Sequence, residues 1–190
     1  MAAPSRQEAW TLVEEWVESD SLRKHLLGVE TGMRAYARRW DEDEELYAVT
    51  GLLHDLDYER YPDLETGHPR KALELFERKA YPDELIGAVA GHADFLRVPR
   101  ETRMAKTLYA VDELSGFIAA CALVRPTGIE GMTPKSVKKK LKQPSFAAGV
   151  DRAEVRRGAE ELGVEFDEHV AFLIGAMAER AGELGLRGSG

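Results

Sequence analysis

Apolar residues recur every three or four positions along most of the chain, the spacing of helices with one buried face. Trp10, Val13, Trp16 and Val17 mark the first such face. Leu22, His25, Leu26, Val29, Met33 and Tyr36 mark a second, behind Asp20 and Ser21, whose short polar side chains suit an N-cap. The acidic stretch Asp41 to Glu45 suits the positive end of a helix dipole and leads into the apolar run Leu46 to Leu53. Gly67-His68-Pro69 opens another helix, with Ala72, Leu75 and Phe76 facing inward. Tyr81-Pro82-Asp83-Glu84 puts a proline in a first helical turn, followed by Leu85, Ile86 and Val89 and an end near Gly91-His92. Val98 to Glu101 begins a long helix through Met104, Leu108, Val111, Leu114, Phe117, Ile118 and Cys121, which Arg125-Pro126-Thr127-Gly128 breaks. Thr133-Pro134 opens a short basic helix, and Asp151 to Leu162 and Phe166 to Leu184 are two further amphipathic segments. No strand hairpin, internal repeat or low-complexity segment stands out. The pattern predicts an all-α fold, a compact bundle of about eight helices in a single domain over residues 1–190.

Composition narrows the classes of function. The chain has 190 residues, 44% hydrophobic and 32% charged, enough to bury one core. Lys plus Arg is 26 and Asp plus Glu is 34, a net charge of −8. That balance argues against general nucleic-acid binding and against a polybasic membrane surface. A single cysteine, Cys121, rules out an internal disulfide framework and a cysteine-rich zinc site. Met1 to Glu8 carries no apolar signal region, and the longest apolar stretch, Phe117 to Val124, falls well short of the roughly 18 residues of a membrane span. A cytoplasmic protein without a membrane partner is expected. The end, Leu186-Arg187-Gly188-Ser189-Gly190, has the composition of a flexible tail. The Trp10/Trp16 helix is compatible with a homodimer surface or with packing on the bundle.

The uneven placement of histidine points to chemistry. Four of the five histidines lie between positions 25 and 92. They form, with two aspartates, the series His25, His54-Asp55, His68, His92 and Asp112. Imidazole and carboxylate are the usual ligands of Zn, Fe, Mn, Co or Ni. Each position has an apolar helical context, and a polar group embedded in one needs a partner that a metal can supply. Taken singly, His68 can cap a helix, His92 can end one, and Asp112 can pair with Lys106 or Arg103. The ordered set favours a metal site.

In this order, H…HD…H…H…D, the residues resemble the HD-domain superfamily of metal-dependent phosphohydrolases. The doublet in Gly51-Leu52-Leu53-His54-Asp55-Leu56-Asp57 is especially similar to that family's signature helix end, and the resemblance spans roughly residues 20–120. It implies an HD-type bundle with a metal-binding core at about 20–120 and a C-terminal helical elaboration at about 126–185. It implies that His25, His54, Asp55 and Asp112 hold one metal, and that His68 and His92 hold a second with Asp55 bridging. Two divalent ions, of Fe, Mn, Zn, Co, Ni or Mg, are the implied cofactors. The pattern is similar to small bacterial hydrolases of dinucleoside tetraphosphates and to cyclic-dinucleotide phosphodiesterases of the HD-GYP type, but the GYP triplet of the latter is missing.

The implied activity is hydrolysis of a phosphomonoester or phosphodiester, a nucleotide among them, by metal-activated water. Lys24, Arg70 and Lys71 flank predicted ligands and can contact a phosphate, although solvated surface positions are their ordinary reading. Asp55 and Asp57 complete the expected catalytic set: Asp57 orients water or accepts a proton, or instead caps the following loop. Asp94 is a further such group, or an acceptor behind a ligand imidazole. Tyr58, Tyr61 and Phe95 can wall a pocket. The cluster Lys135, Lys138, Lys139, Lys140 and Lys142 is a solvated face or a polyphosphate-attracting flap, and His169 is expected on a surface helix. Two other readings use the same ligands: a di-iron oxygenase acting on a small polar substrate, and a non-catalytic HD-like binding module.

Overall fold

The structure, a computed structural model, describes residues 2–188. Among them are nine α-helices and no strand, the all-α class that the periodicity predicts. The chain forms two compact units, Met1–Leu108 and Tyr109–Gly190.

The first unit holds α1 (Arg6–Trp16), α2 (Asp20–Trp40), α3 (Glu44–Leu53), α4 (Arg70–Arg78), α5 (Asp83–His92), a 3₁₀ turn (Asp94–Leu96) and the start of α6 (Arg103–Leu123). Capping residues decide where several of these begin. Ser5 and Glu8 form a capping box on α1, and Asp43 accepts the Leu46 N–H at the head of α3. The cap of α2 is Ser19, one residue before the expected Asp20 and Ser21: its hydroxyl accepts from the Leu22 N–H. The start of α6 is later than the sequence pattern indicates. Arg97 has a left-handed φ of 55°, and Pro99 disfavours helical geometry in Val98, so the helix waits for Thr102, whose hydroxyl accepts from the Ala105 N–H.

α2 and α3 make the central pair of this unit. Gly51 allows their close approach, since a Cβ there would lie 2.9 Å from Met33 Cγ and 3.1 Å from the backbone of Val29 and Glu30. Leu26, Val29, Met33, Leu52 and Leu53 are fully buried in the core around it. Glu30 is buried as well and is matched by Arg6 from α1, in a bidentate pair at 2.5 and 3.0 Å. On α1 the buried face is Ala9, Leu12, Val13 and Val17; Trp10 and Trp16 lie half-buried at its edges.

The second unit contains the remainder of α6, then α7 (Pro134–Leu141), α8 (Arg152–Leu162) and α9 (Phe166–Glu179). Gly158 brings α8 against α6, where a Cβ would meet Ala110 Cα at 2.7 Å. The expected flexible tail is in fact anchored at residues 186–188. Leu186 is buried, and its carbonyl accepts from the Ile129 N–H at 2.9 Å. Gly128, at φ +59°, allows the two segments to touch, because a Cβ would lie 2.2 Å from the Leu186 oxygen. Ser189 and Gly190 lie outside the described residues. No helix among the described residues is long and apolar enough to cross a membrane.

Candidate metal centre

Four helices or their ends deliver the cluster, all within the first unit. His25 lies in the second turn of α2, beside buried Leu26. His54 is the C-cap of α3, and Asp55 follows it where the helix gives way to a turn. Buried Leu52, Leu53 and Leu56 fix that turn in the core. His68 sits two residues before α4, and His92 is the last residue of α5.

The imidazoles converge on one carboxylate. Asp55 Oδ2 lies 3.6 Å from His54 Nε2 and 4.0 Å from His25 Nε2. Asp55 Oδ1 lies 3.3 Å from His92 Nε2 and 3.4 Å from His68 Nε2. Each oxygen therefore faces two rings, which divides the cluster into the groups His25–His54–Asp55 and Asp55–His68–His92. Separations of 3.3–4.0 Å are long for N–H···O hydrogen bonds. Two ligand atoms each about 2.1 Å from one ion lie roughly 3.0–3.4 Å apart at octahedral or tetrahedral angles, close to the shorter spacings here.

The other nitrogen of three rings is held from behind. His54 Nδ1 donates to the Gly51 carbonyl at 2.8 Å, and His92 Nδ1 to the Val89 carbonyl at 2.5 Å. Both carbonyls lie in the last turn of a helix, where the backbone ladder leaves acceptors unused. His68 Nδ1 donates to Asp57 Oδ1 at 2.8 Å, and the other Asp57 oxygen accepts from the Ala72 N–H at 2.8 Å. These bonds fix a tautomer with the proton on Nδ1 and the Nε2 lone pair directed at Asp55, the arrangement of metal-ligating histidines. The donor set and its orientation fit divalent metal ions.

Residues 22–116, half of the chain, match the family model for the HD domain. The chain belongs to the HD-domain family. Searches of curated proteins and of solved structures return no match. HD domains are commonly metal-dependent phosphohydrolases, and the cluster in this HD protein is of the kind that can bind metal.

The remaining expected site residues fall in different places. Asp57 is fully buried, with one oxygen accepting from His68 Nδ1 and the other from the Ala72 N–H in the first turn of α4. Asp57 thus serves as an acceptor behind an imidazole, and Asp94 pairs with Arg100 at 2.8 Å. Lys24 pairs with Asp20 at 2.6 Å, and Lys71 with Glu74 at 2.9 Å. Arg70 donates to the Leu64 carbonyl at 2.5 Å and lies over the Phe95 ring. Tyr58, Tyr61 and Phe95 are exposed; Tyr58 stands edge-on to His68, and Tyr61 lies near Trp16.

In the second unit, Asp112 lies on α6, one turn past Leu108, and its carbonyl accepts from the Ser115 hydroxyl at 2.9 Å. The adjacent Glu113 carboxyl is pushed up to about 8, by burial first and then by the charges of Asp112, Glu154 and Asp151. On α7, Lys138 pairs with Asp167 at 2.6 Å and Lys140 lies over the Phe146 ring. His169 corrects an expectation. It is fully buried, not on a surface, and its Nε2 donates to the Ala110 carbonyl at 2.9 Å. The missed signal is the stripe His169, Leu173 and Met177 on α9 (one turn apart each), masked by the neighbouring Asp167 and Glu168.

Proposed function

We propose that this protein is a metal-dependent phosphohydrolase acting on a phosphomonoester or phosphodiester, nucleotides among them. The observation that carries the reading is the division of Asp55, with one oxygen facing His25 and His54 and the other facing His68 and His92. That division supports two ions sharing Asp55 as a bridge. Asp112 enters the first ligand set from the family pattern alone. The match over 22–116 supports a metal-binding core at about 20–120, with residues from about 126 to 185 as an elaboration. Cytoplasmic action is part of the same proposal.

When bound, the ions would lower the pKa of coordinated water and offset the charge of the phosphoryl oxygens. The chain's own contribution is orientation. Gly51, Val89 and Asp57 hold three imidazoles by Nδ1, so that no ring reorganisation accompanies ligation. In hydrolysis the water oxygen bonds to phosphorus, the ester P–O bond breaks, and the alcohol leaves with a proton. Lys24 precedes His25, Arg70 and Lys71 follow His68 by two and three residues, and all three would have to exchange their present partners to contact phosphate.

The test is metal analysis of the purified protein with a panel of phosphomonoesters, phosphodiesters and dinucleoside polyphosphates. Expected are about two ions per chain, turnover abolished by chelator and restored by metal, and no turnover in His54→Ala or Asp55→Ala. Chelator-resistant full activity in both variants would defeat the proposal. Oxygen consumption by the iron-loaded protein without phosphate release would replace it with an oxygenase.

A further inference from the structure

A cleft of about 420 Å³ opens beside His25, wholly within the first unit. Ser19, Ser21, Leu22, His25, Tyr58 and Glu59 line it. Its volume lies within the roughly 300–1,000 Å³ of small-molecule sites. The wall touches both halves of the Asp55 cluster. His25 lines it directly, and the Tyr58 ring stands edge-on to His68, with centroids 5.2 Å apart. A group held here is adjacent to a phosphate held at the cluster.

The lining combines apolar and polar groups. Tyr58, 49% exposed, offers a ring, and Leu22 an aliphatic surface. The Ser19 and Ser21 hydroxyls, 2.7 Å apart, and the Glu59 carboxylate supply hydrogen-bonding groups. No lysine or arginine is among the lining residues. The N-terminus of α2 also borders the cleft, and acidic groups already stand beside it. Glu59 Oε2 accepts from the N–H groups of Glu18 and Ser19 at 3.1 Å each, and Asp20 occupies the first turn, where it also draws Lys24 to itself. A phosphate entering the cleft would meet the Glu59 carboxylate, with the neighbouring Lys24 already drawn to Asp20.

We propose that this cleft holds the alcohol half of the substrate, and that this half is uncharged and carries a ring with hydroxyl or N–H groups, as in a nucleoside monophosphate or an aryl phosphate. Esters with a second phosphate next to the reacting one are disfavoured. The assignment rests on the phosphohydrolase reading above and names its substrate class.

The experiment compares kcat/KM of the metal-loaded protein on 1-naphthyl phosphate, adenosine 5′-monophosphate, adenosine 5′-diphosphate and glycerol 2-phosphate. The monophosphates with rings should exceed the diphosphate by about tenfold or more. Tyr58→Ala should raise KM for the ring-bearing esters about fivefold more than for glycerol 2-phosphate, and Glu59→Gln should narrow the preference for mono- over diphosphate. Equal turnover of mono- and diphosphate by the unaltered protein, or a Tyr58→Ala effect equal on all esters, would overturn the proposal. Saturation-transfer NMR with adenosine alone gives a reading independent of turnover: transfer is expected in the unaltered protein and should be lost in Tyr58→Ala. Transfer without hydrolysis of any ester would sink the phosphohydrolase reading and leave the ring-binding cleft standing; absence of transfer would sink the cleft.

Discussion

His54 and His92 in the first unit and His169 in the second are all buried, and each donates to a backbone carbonyl. They differ in the nitrogen used. His54 and His92 spend Nδ1, the nitrogen nearer the backbone, on the carbonyl three residues earlier, which leaves the far nitrogen at the tip of the ring facing Asp55. His169 spends the far nitrogen, Nε2, on Ala110, a residue 59 positions away on another helix. The first arrangement is a local anchor that presents Nε2 to Asp55. The second is a tie between helices, and burial pushes the His169 imidazole down to about 4, so it stays neutral. Burial alone therefore does not separate a histidine of the cluster from one that ties helices together; the direction of the tip does.

The strongest way to break this comparison is to remove the group on which the tips converge. Asp55→Ala should lower bound metal to near background and turnover by at least about 1,000-fold, because one carboxylate serves both groups of ligands. Metal content by mass spectrometry and turnover on a phosphate ester should fall together. Retention of both would mean that the four tips face Asp55 for a structural reason, as His169 faces Ala110.

The next effect belongs to His169 and is read in acid. Its folded imidazole takes a proton only near pH 4, whereas the unfolded one does so near the ordinary value of 6.5. Between those values the unfolded chain binds more protons, so stability falls as pH drops from about 6.5 to 4 and then levels off. The loss attributable to this group is about 3 kcal/mol. His169→Gln keeps a donor for Ala110 and removes the titration. Denaturant melts at pH 7 and pH 4 should show the unaltered protein losing more stability than the variant by about that amount. Protonation of the metal ligands is common to both proteins and cancels in the difference. Identical acid losses would show that His169 is not held neutral by burial.

These two regions also show what the sequence makes legible. The order from His25 to His92 is visible because His25 interrupts an apolar stripe, His54 and His92 end helices and His68 precedes one, and these features are local. The Nδ1 anchors of His54 and His92 are local too, three residues back, and follow once the helix ends are known. What is not legible needs the path of a loop. Asp57 lies eleven residues before His68, and only the turn between α3 and α4 brings the two together. The burial of His169 is within reach of helical periodicity, but the acidic residues Asp167 and Glu168 beside it suggest a solvated face. Asp112 depends on family resemblance, since nothing in its local sequence separates it from other helical aspartates.

Asp57 offers a smaller effect. Of the anchors behind His54, His68 and His92, it is the one supplied by a side chain, so it can be altered without changing a histidine of the cluster. Asp57→Asn keeps the size of the group and removes the carboxylate charge behind His68. A loss of about 10–100-fold in metal affinity or turnover is expected, confined to the ion on the His68–His92 side. Metal titration should then show one weakened and one unaltered site. Equal weakening of both would indicate a general loss of structure through the α4 cap at Ala72 instead.

The smallest effects compare the two glycines at close helix contacts. Gly51→Ala meets Met33 Cγ at 2.9 Å and backbone at 3.1 Å, whereas Gly158→Ala meets the Ala110 backbone at 2.7 Å. Overpacking costs about 1–3 kcal/mol, and alanine returns about 1 kcal/mol of helix propensity. Gly158→Ala should therefore destabilise by about 1–2 kcal/mol and Gly51→Ala by about 0–1 kcal/mol in denaturant melts. The milder stability change carries the more specific consequence. The Gly51 carbonyl anchors His54, and the same residue sets the approach of α3 to the helix bearing His25. Gly51→Ala should thus weaken the His25–His54 side of the metal centre out of proportion to its effect on stability. A loss of metal affinity no larger than its loss of folding stability would show that the local anchor tolerates a shift of α3 on α2.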